Sequence, residues 1–335
     1  MTATALQRMI LSQPEALERM AGLDVAAAAE HLAGARRVLV VGTGTSQHAA
    51  ELGAMLLEGA GCDARWLSGA QAARWAGRPR EGDALVVITH TAQTAFAQRV
   101  RGAALDAGVP LVSITGQGRG WPEALETVGP EESETYSVSY TATLAVLARL
   151  AHELGGPEGS PEQLERTAAA VREVIADPRL DAVAVPARSL ALIGCGPWGV
   201  TAREGALKIR EGARMLAEGF EADRLLHGAA VPYGPADGLV VLEPGADADK
   251  LTPALAEAAA REGMTVATLE APPGHGDLPP VLAQIPLTVR LQLLADRFAR
   301  LRRQDPDTAI VGAWAEAELW DLGKPAGQAE GPENQ

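Results

Sequence analysis

Twice in this chain a short run of β-branched and apolar residues stops at glycines and passes straight into a helical pattern. The first is RVLVVGTGTSQHAAEL over 37–52, and the second is LALIGCG over 190–196, followed by a helical stretch from Val200 to Leu216. That grammar is the strand, tight turn and helix of an α/β unit. The runs Ala84–Thr89, Val109–Thr115, Leu239–Leu242, Thr265–Leu269 and Ile285–Val289 read as further buried strands, with helices over Ala92–Ala107 and Ala248–Arg261. Strands alternating with helices imply parallel pairing through helical crossovers. The predicted fold class is therefore α/β, two tandem units, each a mostly parallel, doubly wound sheet flanked by helices.

A length of 335 residues suits two domains rather than one core. Residues 1–33 read as a helical lead-in broken at Pro14, 34–155 as the first domain and 156–323 as the second. The junction falls at the glycine and proline cluster Gly155–Pro161, between two halves of a long helical region over Tyr140–Ile175. The Gly-, Pro- and Glu-rich stretch 324–335 reads as a disordered tail.

The formal charge is −14, from 29 basic and 43 acidic side chains, which disfavours a nucleic-acid partner. Neither an apolar run of membrane-spanning length nor a signal-type N-terminus is apparent, so a soluble, cytoplasmic protein with no membrane partner is expected. Cys62 and Cys195 lie far apart in apolar surroundings and read as buried free thiols. The histidines His31, His48, His90, His152, His227 and His275 show no paired carboxylate spacing, so no metal and no cofactor are expected.

Gly44, Thr45 and Ser46 follow the first strand, where an open α/β sheet binds its ligands. Glycine permits close backbone approach to an anion, and a helix N-terminus supplies amides and the positive end of a dipole. The next strand ends in Thr89, His90, Thr91 and Thr94, a second hydroxyl-rich turn. Two such turns suit a phosphate monoester held by neutral donors, whereas each alone would read as a helix cap. A dinucleotide site would need a complete glycine fingerprint with an acid about twenty residues beyond it, and neither the Gly44 nor the Gly196 turn is read as carrying one.

These turns resemble the phosphosugar-binding loops of sugar-isomerase (SIS) domains. The segment REGALKIREGARMLAEGFEADRLLHGAA over 203–230 resembles the isomerase half of glucosamine-6-phosphate synthases, which reads EGALKLKE and then LKHGP. The resemblance implies that Glu211 is the catalytic base and His227 the histidine that opens the sugar ring. It also implies a homodimer or higher assembly, since the family sets this histidine against its neighbour's active site. Lys208, one helical turn before Glu211, reads as holding that carboxylate ionised or binding substrate oxygens. Ser137 and Ser139 fall where the family contacts the sugar, although Ser139 also reads as a helix N-cap. Without the resemblance, Glu211 reads as a solvated ion-pairing residue and His227 as a structural loop histidine.

Three departures from the family stand out. Thr89 and Thr91 replace serines; Ala92 replaces the loop glycine, so a left-handed backbone there is strained, and His90 adds a positive handle. No lysine lies within Asp305–Leu322, where the synthase has its Schiff-base lysine, and Lys324 lies in the tail. The leading cysteine of a glutaminase domain is absent, so glutamine-fed amide transfer is not expected of this polypeptide alone. The expected substrate is a small phosphosugar, a 6-phosphorylated amino sugar or sugar–amine conjugate, processed by a deaminase, deglycase or aldose–ketose isomerase. A non-catalytic phosphosugar sensor is the alternative.

Overall fold

The computed structural model describes residues 3–271 and 277–325. His275 and residues 326–335 of the expected tail lie outside the described residues. In chain order, the elements up to the end of the first sheet are α1 (Ala5–Leu11), α2 (Gln13–Ala21), α3 (Ala26–Leu32), β1 (Arg37–Gly42), α4 (Thr45–Gly59), β2 (Ala64–Ser68), α5 (Gly69–Arg74), β3 (Asp83–Ile88), α6 (Ala95–Ala107), β4 (Leu111–Thr115) and β5 (Ala124–Glu126). Then come α7 (Val138–Glu153), α8 (Pro161–Ala176), β6 (Leu190–Gly194), α9 (Pro197–Ala213), β7 (Ala217–Glu221), α10 (Ala222–Arg224), β8 (Gly238–Leu242), α11 (Leu251–Arg261), β9 (Thr265–Leu269), α12 (Gln284–Arg302) and α13 (Ala317–Asp321).

Both sheets are wholly parallel. The first runs β2-β1-β3-β4-β5 and the second β7-β6-β8-β9. In each, the opening strand is central, and the chain crosses to one edge before returning to the other side. Helices cover both faces because the central strands are buried along their length, as in Ala84–Ile88 and Leu190–Gly194.

The chain forms two compact units. One comprises Met1–Leu23, Glu131–Arg149 and Glu158–Ala309, and holds the second sheet; the other comprises Asp24–Pro130, Leu150–Pro157 and Ile310–Gln335, and holds the first.

Within the second-sheet unit, α9 and α12 pack tightly. Gly205 makes this contact feasible, because a Cβ there would meet Leu291 Cδ1 at 2.5 Å. One apolar cluster joins Ile209 and Ala213 of α9 to Leu294 and Phe298 of α12 beneath Leu192 and Val240. The run Ile285–Val289, expected as a strand, is instead part of the 19-residue α12. Nearly every side of that helix is buried, so its apolar residues are continuous rather than periodic, and a short window of them mimics a buried strand. Pro14 does mark a helix junction, since α1 ends at Leu11 and the proline sits in the first turn of α2.

Candidate active site

The sequence EGALKIRE folds as the middle of α9, and its spacing brings three charged groups to one face. Lys208 Nζ donates to Glu211 Oε2 at 2.7 Å and lies 3.5 Å from Glu204 Oε1, one turn earlier. The Lys208 and Glu204 side chains are fully buried, whereas 20% of the Glu211 side chain is exposed. Glu211 is therefore the member of the group open to solvent.

Burial pushes the Glu211 carboxyl above the ordinary range; Lys208 opposes this through its charge and hydrogen bond, and Glu204 adds to the rise. Burial also works against the Lys208 ammonium, but the carboxylates of Glu211, Glu204 and Glu131 more than offset it and keep its pKa raised. A positive charge held permanently beside a carboxylate of raised pKa is the arrangement a general base requires.

Sequence reasoning missed Glu131 altogether. Its Oε1 accepts from the amides of Ser137 at 2.8 Å and Ser139 at 2.7 Å, and its charge is one of those acting on Lys208. Burial raises its pKa against these contacts. α7 begins at Val138, so the carboxylate of Glu131 closes that helix terminus and Ser139 is not the N-cap expected from sequence. The Ser137 backbone is fixed from the other side as well, where its carbonyl accepts from Gln292, itself bonded to Gln13.

His227 lies in a five-residue π-helical segment, Leu225–Ala229, that breaks at the histidine itself (φ −82°, ψ 50°) and at Gly228 (φ 103°). Its ring is exposed, and among the described residues no ion pair or hydrogen bond joins it to Glu211. Among the described residues of one chain, Lys208 and Glu211 are joined directly, and Glu211 and His227 are not.

In the first-sheet unit, Gly44 is the N-cap of α4 in a conformation reserved for glycine (φ 58°, ψ −128°), with no side-chain cap. Thr45 and Ser46 occupy the first helical positions, half-buried, so Ser46 is not a cap. In the second turn Thr89 is buried, and its Oγ1 lies 3.3 Å from Thr94 Oγ1. Thr94 precedes α6 without capping it. Thr91 accepts from the Gln93 amide at 3.2 Å. Ala92 does adopt the left-handed backbone, at φ 57°, which costs a non-glycine residue about 1 kcal/mol.

The positive handle expected at His90 is not realised. Burial and the charge of Arg119 hold its pKa down to about 4, despite a bond involving the Gly129 backbone, so the ring is neutral at pH 7. The ring packs over Gly116, where a Cβ would meet His90 Cε1 at 2.6 Å. In the C-terminal stretch Lys324 pairs with Asp321, three residues earlier.

A further correction concerns the second glycine turn. Gly194, Gly196 and Gly199 do form a complete G-x-G-x-x-G, and Glu221 stands at the end of the next strand, where a ribose-binding acid would sit. The structure shows how that set is used. Glu221 Oε1 accepts from the Gly196 amide at 2.7 Å, and a Cβ on Gly199 would meet Glu221 Oε2 at 2.1 Å. The glycines make room for the chain's own carboxylate at the start of α9, where a pyrophosphate would otherwise bind. Nearby Cys195 is pushed up to about 11 by burial and then by the Asp247 and Glu221 charges, so it stays a thiol.

No protein-family model matches the sequence. Over 328 residues, 89% of its length, the chain is 31% identical to the isomerizing glutamine–fructose-6-phosphate aminotransferase of Pyrococcus horikoshii, of which it covers 55%. Over 310 residues, 83% of its length, it is 29% identical to the Thermococcus kodakarensis protein of the same name, of which it covers 52%. The chain spans about half the length of these curated relatives.

Among solved structures, the C-terminal domain of the Francisella tularensis glucosamine–fructose-6-phosphate aminotransferase matches with a TM-score of 0.74 at 20% identity, over 92% of this chain and 98% of that one. Escherichia coli tagatose-6-phosphate ketose/aldose isomerase matches at 0.76 and 17% identity, over 94% and 98%. Thermotoga maritima glucosamine-6-phosphate deaminase matches at 0.71 and 18% identity, over 91% and 97%. At such identities the likeness is one of fold, an α/β arrangement of two parallel sheets flanked by helices.

Proposed function

We propose that this chain is a phosphosugar-processing enzyme that moves a proton at C1 or C2 of a 6-phosphorylated amino sugar or sugar–amine conjugate, releasing the amine or shifting the carbonyl. The observation that carries this reading is the Lys208–Glu211 pair, a partly exposed carboxylate of raised pKa locked to a buried ammonium. Such a carboxylate takes the proton from the carbon beside the carbonyl of the open-chain sugar, leaving an enediol, and returns it to the neighbouring carbon. Support also comes from the names of the relatives, which act as isomerizing aminotransferase, aldose–ketose isomerase and glucosamine-6-phosphate deaminase.

In this reading the amides and hydroxyls at Gly44, Thr45, Ser46, Thr89, Thr91 and Thr94 hold the phosphate, and the segment with Ser137 and Ser139 borders the sugar. The exposed, kinked His227 serves ring opening in the site of a second copy, which makes a homodimer or higher assembly the working form. A soluble, cytoplasmic enzyme needing no cofactor is part of the same proposal. Among the described residues no helix is long and apolar enough to cross a membrane.

A panel of phosphorylated fructosamines, hexosamines and simple hexoses, assayed for amine release and for isomer formation, tests the assignment. Amine release from one member selects deaminase or deglycase chemistry, and isomer formation alone selects the isomerase. Saturable binding without turnover of any member would make the chain a sensor and end the enzymatic reading.

A further inference from the structure

On one face of the first sheet, α5, α6 and the loop that follows α5 enclose a cavity of about 290 Å³. That volume is at the lower end for small-molecule sites. Its buried walls are apolar, made by Leu39 and Val41 of β1, Leu85 of β3 and Val100 of α6. Its more exposed lining carries four guanidinium groups, those of Arg37, Arg74, Arg78 and Arg99, and the one carboxylate in the lining, Asp83, is buried.

That carboxylate is already committed. Asp83 is fully buried and bonded to Arg36 Nη2 at 3.0 Å, Arg37 Nη2 at 2.8 Å and the Arg80 amide at 2.9 Å. Arg74 lies 5.0 Å above the Phe96 ring. Arg78 and Arg99 have no ion pair among the described residues, and Arg37 keeps a buried Nε donor with no acceptor. A buried donor without an acceptor costs about 1–3 kcal/mol, and clustered like charges repel, so the lining favours an anion. In a chain of net charge −14 such a cationic patch runs against the overall balance.

Arg37 and Asp83 open their strands, whereas the hydroxyl-lined turns follow Gly42 and Ile88 at the other ends. Six residues of strand separate the two by roughly 20 Å.

We propose that this cavity is a second ligand site, for a small organic phosphate with an apolar body such as an aryl or short acyl phosphate. Guanidinium forks match phosphate oxygens, and the leucine and valine walls match the body. Inorganic phosphate alone leaves those walls empty, and a neutral aromatic leaves the arginines unpaired. The assignment does not rest on the phosphosugar reading.

Calorimetric titration of the full chain with phenyl phosphate tests it, with inorganic phosphate and benzyl alcohol as controls. One-to-one binding is expected, stronger than for either control. It should be weakened at least tenfold in the Arg78→Ala/Arg99→Ala variant and abolished by Ala103→Leu, which fills the cavity, with each variant's fold checked by circular dichroism. Ser46→Ala should leave it unchanged. Absence of saturable binding to the folded wild type, binding that survives both cavity variants, or loss only with Ser46→Ala would each overturn the proposal.

Discussion

The two glycine turns that open the sheets have the same backbone and opposite contents. Gly44 and Gly196 share φ 58°, with ψ of −128° and −125°, and each precedes a helix of fifteen or more residues. In the first sheet, Gly42 pairs with Ser68, whose hydroxyl accepts from Gln71 of its own helix α5. In the second, Gly194 pairs with Glu221, whose carboxylate turns back to the Gly196 amide. The contrast recurs one strand over, where β3 is followed by Thr89 and β8 by Glu243. A similar strand plan has not given similar turns. One turn presents neutral donors that suit a phosphate, and the other supplies its own anion.

The contrast can be broken most forcefully at the donors. Ser46→Ala combined with Thr89→Val should weaken phosphosugar binding about 100-fold, since a hydrogen bond to a charged group is worth roughly 1.5–3 kcal/mol. Glu221→Gln should leave that affinity within twofold. Equal losses from both changes, measured by calorimetry, would mean that the turns do not differ in role.

A smaller effect lies in stability. Gly199→Ala places a Cβ where Glu221 sits and should cost about 2–3 kcal/mol in denaturant titration. Adding Glu221→Ala should recover part of the loss, because neighbouring changes are not additive. Gln47→Ala, at the matching position of the first turn, should cost under 0.5 kcal/mol.

The smallest effect concerns pH. Because burial raises Glu211, activity should appear on an acid limb above the ordinary glutamate value of about 4.3. Glu204 contributes to that rise, so Glu204→Gln should move the limb down, read from kcat/KM profiles. An upward move would contradict the electrostatic account.

How far the molecule was legible in its sequence differs between its parts. The central strands, buried on both faces, read correctly as apolar runs. The edge strands β2 and β7, ARWLS and AEGFE, are half-exposed and polar and escaped notice. The Lys208–Glu211 pair was visible because three residues make one helical turn; Glu204, one turn earlier, follows the same rule but was not picked out. Glu131 carried no local signal, since it reaches the Ser137 and Ser139 amides, six and eight residues on, across a loop that no sequence pattern marks. The fingerprint at Gly194–Gly199 shows the converse hazard, in which the letters of a nucleotide loop hold a carboxylate of the same chain.

The central claim, a base at position 211 working on a phosphosugar, is tested most directly by solvent exchange. Incubated in heavy water with its sugar phosphate, the wild type should wash deuterium into C1 or C2. Glu211→Gln should bind the sugar with similar affinity and incorporate deuterium at least a thousandfold more slowly. Exchange at the wild-type rate in that variant would contradict the account.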